Sequence, residues 1–249
     1  MVDRSPVSRV LDIDFDLGVT ANTYVDIGET AGIIVYGGIT HGDGINITKQ
    51  SGGLAYTARV DVLPFGKFNK KGDYVESDLF REPTPKLSIG LAHHFNHDAA
   101  ARLGDPAWKG NTANIYNYYV DGVFKYDGFS FLAEYIKRNI TNNGILITPT
   151  NNTVYSKVVG GWGLSAQMGK FISKELEPTV RISFLKLDDD IRIVKNEFTE
   201  QQKYGVGLNY FFIGHSIKIQ SEMNLVTEKY AASGSYSYIE FSAQFSLGF

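Results

Sequence analysis

The closing stretch of the chain, Ile239-Glu240-Phe241-Ser242-Ala243-Gln244-Phe245-Ser246-Leu247-Gly248-Phe249, decides the fold class. Its odd positions are apolar, and its even positions are polar or small. This strict period of two predicts a β-strand with one apolar face and one polar face. Such a strand fits a membrane-spanning β-strand, and it also fits a soluble sandwich in which one face is buried.

The same alternation recurs along the chain and predicts an all-β fold. About eleven segments alternate, and most are close to the roughly ten residues of a membrane-spanning strand. We place them at 11–19, 32–40, 54–63, 87–94, 115–126, 129–138, 159–171, 178–186, 202–212, 217–226 and 239–249. A further strand near 23–28 would make the count even, as single-chain bacterial barrels require.

The lengths of the connections favour a barrel over a sandwich. In the second half of the chain, short connections alternate with long ones, and Asp127-Gly128 is a strong hairpin signal. The short connections lie at 127–128, 172–177 and 214–215, and the long ones at 139–155, 187–200 and 228–236. Short periplasmic turns and longer extracellular loops are typical of outer-membrane barrels. The polar segment 67–85 breaks this pattern and is interpreted as a tolerated insertion.

Composition excludes several other classes of protein. The formal net charge of −3 gives no argument for a nucleic-acid partner. The absence of cysteine excludes a disulfide framework and thiolate chemistry. No apolar run approaches the roughly 18 residues of a membrane helix. The first residues, Met1–Pro6, do not form a secretory signal, so the chain is expected to be a mature form or a fragment.

Several short motifs are distributed over most of the chain. They are Asp3-Arg4-Ser5 before Asp16-Leu17-Gly18-Val19, Ala58-Arg59-Val60 before Pro64-Phe65-Gly66, Lys86-Leu87-Ser88-Ile89-Gly90, Phe124-Lys125-Tyr126 with Gly128-Phe129-Ser130 before Ala133-Glu134-Tyr135, and Phe245–Phe249. Together they resemble the phosphate-selective porin O and P family of Gram-negative outer membranes.

The resemblance implies one outer-membrane β-barrel domain over residues 1–249. Barrels of this kind have about sixteen strands, and the family's Asp-Arg-Ser segment lies well inside its chain. We therefore expect that the signal peptide and the first strands are absent here. The terminal Phe249 is similar to the signature that the barrel-insertion machinery reads. Trimers are common among such porins, so a homotrimer is one expectation.

If the apolar face meets the lipid bilayer, the polar face lines the lumen. The basic candidates for lining it are Arg59, Lys125, Arg138, Arg181, Lys203 and Lys218. The same face carries the carboxylates of Asp12, Asp14, Asp16, Asp61, Asp121, Glu134, Glu222 and Glu240. Mixed signs favour ion pairs along the wall over a selective ring of one sign. We expect a passive pore for small hydrophilic solutes or anions, including phosphate, with at most a modest anion preference. A non-transport barrel (an enzyme, or a structural or secretion-associated protein) is the alternative.

Two clusters raise the question of a metal or of catalysis. His93, His94 and His97 with Asp98 offer ligands that suit zinc, but adjacent strand residues point to opposite faces. We predict that a strand ends at His94 and that a long loop follows over 95–114, with a helical turn capped by Asp98. The carboxylates at 12, 14 and 16 are interpreted as a solvated face. No nucleophile accompanies a histidine, so we predict no catalytic residue, metal or cofactor.

Overall fold

Eleven strands form one antiparallel sheet in the computed structural model. The structure describes residues 1–13, 15–42, 44, 53–99, 113–141, 145–147, 154–157, 160–188, 198–214, 216–230 and 233–248. The strands of the sheet are β1 Gly18–Ile27, β2 Ala31–Thr40, β3 Ala55–Leu63, β4 Lys86–Ala99, β5 Ala113–Tyr126, β6 Phe129–Ile140, β9 Gly161–Lys170, β10 Leu176–Leu187, β11 Phe198–Ile213, β12 Ile217–Tyr230 and β13 Gly234–Leu247. Each strand pairs with its neighbours in chain order. The predicted all-β class and the count of eleven antiparallel strands are confirmed.

Three small elements lie outside this sheet. The helix α1 covers Pro6–Leu11, and a 3-10 segment covers Asn69–Tyr74. A separate two-stranded sheet pairs β7, Ile145–Ile147, with β8, Val154–Lys157. Within the described ranges, no helix is long and apolar enough to cross a membrane.

The pattern of buried and exposed residues in the sheet is the reverse of that expected for a sheet of a water-soluble protein. On β10, the apolar Val180 and Ile182 are 39% and 45% exposed, whereas Arg181 is 4% exposed and Ser183 is fully buried. The same inversion holds on β11 and β12. Val206 on β11 and Met223 on β12 are exposed, whereas the polar residues that alternate with the apolar ones along each strand are buried. A soluble sandwich would bury the apolar face under a second sheet, whereas these apolar residues of β10, β11 and β12 are exposed among the described residues.

The short connections meet at one end of the sheet. Asp127 and Gly128 both have positive φ, 46° and 76°, which is the backbone of the predicted tight hairpin between β5 and β6. At the two edges of the sheet lie β1 and β13, and no hydrogen-bonded pairing joins them among the described residues.

The predicted first strand, at 11–19, is wrong. Ser5 caps a helix instead, because its Oγ accepts a hydrogen bond from the backbone N of Ser8 at 3.0 Å and Pro6 occupies the first helical turn. The chain enters the sheet only at Gly18, and β1 includes most of the extra strand proposed near 23–28. The main sheet therefore keeps eleven strands.

Three predicted loops are shorter or more structured than expected. β4 continues to Ala99, so the loop does not begin at residue 95, and Asp98 lies in this strand rather than at a helix cap. β11 begins at Phe198, inside the predicted loop 187–200. The predicted loop 139–155 contains β7 and the start of β8. The rest of the predicted helical turn, residues 100–103, lies outside the described residues.

Candidate functional site

Two segments cover the polar face of the sheet. We call residues 1–13, which include α1, the N-terminal segment, and residues 64–85, between β3 and β4, the insertion segment. Together they bury side chains that would otherwise line an open polar wall. The candidate site is the space that remains between these segments and the strands.

The N-terminal segment buries an apolar helix face on the sheet. Val7 and Leu11 are fully buried and pack with Ile136, Leu185 and Leu187. Gly163 on β9 makes room for this approach, since a Cβ added there would lie 2.7 Å from both methyl groups of Val7. A small residue on the polar face of the strand thus allows the helix to lie close to the backbone.

Polar side chains of the strands bind the backbone of this segment. Arg138 donates from Nη1 and Nη2 to the carbonyl oxygens of Val10 and Asp12, at 3.2 and 3.0 Å. Asn117 Nδ2 donates to the carbonyl oxygen of Leu11 at 2.8 Å. These carbonyls lie at the C-terminal end of α1, where they lack partners within the helix and where a cation is favoured. Arg138 is therefore an anchor for the N-terminal segment.

The insertion segment is organised around Lys125. The Lys125 side chain is 1% exposed, and its Nζ donates to the carbonyl oxygens of Gly72, Val75 and Ser77 at 2.7, 2.7 and 2.8 Å. All three donors of the ammonium group are satisfied by backbone of the same segment. This lysine was predicted to line a lumen, and its ammonium group instead fixes the insertion segment.

Buried carboxylates hold the insertion segment at the end where the short connections meet. Asp78 Oδ2 accepts from the backbone N of Gly128 at 2.7 Å. Glu82 accepts from the backbone N and the Nδ2 of Asn69 at 2.6 and 2.7 Å. Ser77 Oγ donates to Glu177 Oε2 at 2.6 Å. The sequence predicted a tolerated insertion here because the segment is polar. Its polar residues instead form the hydrogen bonds that hold it folded over the polar face of the sheet.

Arg59 forms the predicted kind of ion pair along the wall. Its guanidinium donates to both carboxylate oxygens of Asp121 at 2.6 and 2.8 Å and lies 2.6 Å from Asp61 Oδ1. Asp121 lies two strands away, and Gly90 on β4 leaves the space between them. A Cβ added at Gly90 would lie 2.2 Å from Arg59 Nη2. One arginine thus faces two carboxylates, which leaves this cluster with a net negative charge.

Arg181 and Lys203 belong to a second charged network. Lys203 Nζ lies 3.1 Å from Glu240 and 4.0 Å from Glu222, and Arg181 Nη2 lies 3.6 Å from Glu222. Arg181 Nη1 also donates to the carbonyl oxygen of Asp3 at 2.7 Å. Carboxylate oxygens of Asp3, Glu222 and Glu240 lie within 4.8 Å of one another. The two cations among them offset the negative charge that would favour a metal ion.

Two of the cavities in the described part of the chain lie between these segments and the sheet. The larger, of about 390 Å³, is lined by Arg4, Arg59 and Arg181 together with Asp12, Glu76, Asp121 and Glu134. The smaller, of about 310 Å³, is lined by Lys218, Glu76 and the amides Gln220 and Gln244. The structure thus brings Arg59 and Arg181 to one cavity and Lys218 to the other. Lys125, Arg138 and Lys203 line neither, because their charged groups hold covering segments or acidic neighbours.

The histidines do not form a metal site or a catalytic set in the described residues. His94 is buried on the polar face with its Nδ1 2.8 Å from Thr57 Oγ1. His93 lies on the other face, where its ring centroid is 4.7 Å from that of Tyr118. The sequence predicted that His93 and His94 point to opposite faces, and this is confirmed.

Asp16 accepts hydrogen bonds from the backbone N of Gly42 and Gly44. Asp14 and Phe249 lie outside the described residues.

Sequence reasoning missed Glu76 and the inward-facing glycines. Glu76 carried no strand pattern, so nothing in the sequence assigned it to the polar face. The glycines gave a usable signal, because Gly161, Gly163 and Gly169 recur on the polar side of one alternating segment.

No family model, curated protein or solved structure matches the chain.

Proposed function

We propose that this chain forms the wall of an outer-membrane β-barrel and serves as a passive pore for small hydrophilic solutes. The observation that carries the proposal is the inverted burial of the sheet. Apolar side chains cover the exposed face, and charged side chains such as Arg181 and Glu222 are buried on the other. Exposed apolar surface on this scale is favourable only against lipid or another apolar partner.

The positions of aromatic residues support a membrane. Near the end with long connections, rings pair in Tyr56–Phe95, Phe95–Tyr116 and Tyr135–Trp162. Near the end with short connections, rings pair in Phe124–Phe129 and Tyr210–Phe212. Two aromatic bands with aliphatic residues between them are typical of barrels that sit between two membrane interfaces.

The register of the sheet supports closure into a barrel. Directly opposed residues form one row across nine strands: Val60, Leu91, Val120, Tyr135, Leu164, Phe184, Gln202, Thr227 and Ser237. The row starts among apolar residues and ends among polar ones near the beginning of β13. Successive strands are therefore shifted along their axes relative to the band of exposed apolar residues, as the tilt of strands in a barrel requires. We propose that further strands pair with β1 and β13 to give about sixteen.

The resemblance to the porin O and P family adds the location and the solutes. It supports an outer membrane of a Gram-negative bacterium, anions such as phosphate among the solutes, and assembly as a homotrimer. The ion pairs around Arg59 and Lys203 reduce the cationic charge that would attract anions. The proposal therefore keeps general diffusion of small solutes ahead of selective phosphate transport.

One observation favours a non-transport barrel. The N-terminal and insertion segments cover the polar face, and the spaces between them and the described strands include cavities of about 390 and 310 Å³. A barrel filled in this way would conduct little and would serve a structural or secretion-associated role. Conductance separates the two functions directly.

The test begins with the full chain as the cell makes it, purified in detergent. A compact band that migrates faster before boiling than after it is expected for a closed barrel. In planar bilayers the same material should give stepwise single-channel conductance. A heat-modifiable barrel without channels would support the non-transport role, and the absence of both would contradict the membrane barrel itself.

A further inference from the structure

We infer that the exposed apolar face of the sheet carries a binding site for the phosphate head group of a membrane lipid, formed by Lys137, Trp162 and Lys186. The inference rests on the proposed membrane barrel, and it assigns to that barrel a lipid of the leaflet at the end with long connections. The site lies on the opposite face of the sheet from the two cavities.

The three residues of the site lie side by side on adjacent strands. Trp162 on β9 is directly opposed by Lys137 on β6 at one side and by Lys186 on β10 at the other. The Cβ atoms of directly opposed residues lie about 4.5–5.5 Å apart on the same face of a sheet. The two lysines therefore flank the indole ring, and their backbones are two strand spacings, roughly 10 Å, apart.

Both lysines are placed at the edge of the apolar band. Trp162 is 41% exposed, Lys186 is 53% exposed, and Lys137 is exposed as well. Residues two apart on a strand share a face, so Lys137 follows Tyr135 and Lys186 follows Phe184 on the apolar side. Each lysine is the first charged residue on this face of its strand. A lysine at that depth lays its methylene groups along apolar surface and extends its ammonium group to the lipid head groups.

The neighbouring charges leave the site positive. Among the described residues, Lys137 forms no ion pair. Glu200 is opposed to Lys186 on β11 and lies 3.9 Å from its Nζ, but it lies closer, at 3.3 Å, to Lys229 Nζ and accepts a hydrogen bond from it. Asp188 is an exposed carboxylate just past the end of β10. Three lysines therefore stand against two carboxylates, and one of these carboxylates is held by the lysine farthest from Trp162.

The opposite end of the same strands lacks this arrangement in the described residues. On β6, β9 and β10, the one basic residue on the exposed face at that end is Lys170, and its Nζ lies 3.5 Å from Asp127 Oδ2. A pair of lysines beside an indole ring is thus found on one side of the apolar band. Tryptophan at this level is typical of a membrane interface, and clustered lysines there attract anionic head groups. Phosphate oxygens accept hydrogen bonds from ammonium groups, which makes a lipid phosphate the fitting ligand.

The test uses Trp162 itself as the reporter. The chain has two tryptophans, so Trp108→Phe leaves Trp162 as the single one. The full chain with this change is reconstituted into phosphatidylcholine vesicles that contain either brominated phosphatidic acid or brominated phosphatidylcholine, and fluorescence quenching gives the relative binding constant of the two lipids. Phosphatidic acid should bind more tightly. Lys137→Met and Lys186→Met should each lower this preference about fivefold, as expected for one lysine near an anionic membrane surface.

Lys170→Met is the matched control, because Lys170 lies on the same face at the far end of the same strand as Trp162. It should leave the preference unchanged. The inference would be overturned, with the barrel intact, by equal quenching from the two lipids or by equal losses for Lys137→Met and Lys170→Met. Displacement of phosphatidic acid by an equal concentration of inorganic phosphate would also overturn it, since the site would then take the free ion. Quenching by neither lipid would show that Trp162 does not face lipid, and it would contradict the proposed barrel together with the inference.

Discussion

The two segments that cover the polar face are held by different forces. The N-terminal segment places apolar side chains into a gap left by glycine, and its helix carbonyls accept from Arg138 and Asn117. The insertion segment surrounds one buried ammonium group with backbone carbonyls and fixes its ends with Asp78 and Glu82.

The difference predicts which changes each segment tolerates. Apolar packing depends on shape and volume, so the N-terminal segment should respond to the size of the residues beneath it. A buried charge depends on its partners, so the insertion segment should respond to loss of the cation and to protonation.

The largest effect is expected for Lys125→Met, which keeps the length of the side chain and removes its charge. Three buried carbonyl oxygens and the nearby Asp78, Glu82 and Glu177 would lose their cation. Breaking a buried charged network by removing one partner costs about 3–5 kcal/mol. We expect a loss of this size in the free energy of unfolding, measured by urea titration in lipid vesicles, and faster proteolysis within residues 64–85.

Lys174→Met is the control for this change, since Lys174 is exposed in the short connection between β9 and β10. It should shift the free energy of unfolding by less than about 0.5 kcal/mol. Equal values for the two variants would show that the insertion segment does not depend on its central ammonium group.

Most of the sheet could be predicted from the sequence because alternation over ten residues is a local signal. The hairpin at Asp127-Gly128 and the opposite orientations of His93 and His94 follow from local rules in the same way. Strand ends were less predictable. β4 and β11 extend into polar sequence, where hydrogen bonding to a neighbouring strand continues although the apolar pattern has stopped.

The cover of the polar face was not predictable from alternation. α1 has only six residues, too few to display a helical period, although Ser5-Pro6 carried a helix-start signal. The contacts of Lys125 join residues about fifty positions apart in the chain. Such a contact follows from how the segment folds back onto the sheet, and the residue type alone indicates only a charge on the polar face.

A smaller effect is expected for Gly163→Ala, which tests the apolar side of the comparison. The new methyl group would lie 2.7 Å from the Val7 methyls and 3.1 Å from the carbonyl oxygen of Phe184. Overpacking of this kind costs about 1–3 kcal/mol. The double variant with Val7→Ala should recover part of the loss, which a double-mutant cycle of unfolding free energies measures.

Gly37→Ala is the control for this position, because a Cβ added at Gly37 meets no atom within 4 Å. It should be close to neutral. Strict additivity of Gly163→Ala and Val7→Ala would show that the glycine does not serve the approach of the helix.

The smallest effect is expected for Asp73→Asn in the insertion segment. Burial raises the pKa of Asp73 above its ordinary value, and a hydrogen bond from its own backbone together with the charges of Lys125 and Lys71 only partly opposes this. The folded state therefore binds the proton more tightly than the unfolded state. The stabilisation is fully present below the unfolded pKa and is lost as the pH rises through the folded pKa. Asp73→Asn should match the wild type near about pH 3 and be slightly more stable near about pH 7, with a small difference because the group is half exposed.

Val7→Ala, which removes no titratable group, should lower the unfolding free energy equally at both pH values. An Asp73→Asn variant that is less stable than the wild type near neutral pH would show that the ionised carboxylate helps to hold the insertion segment.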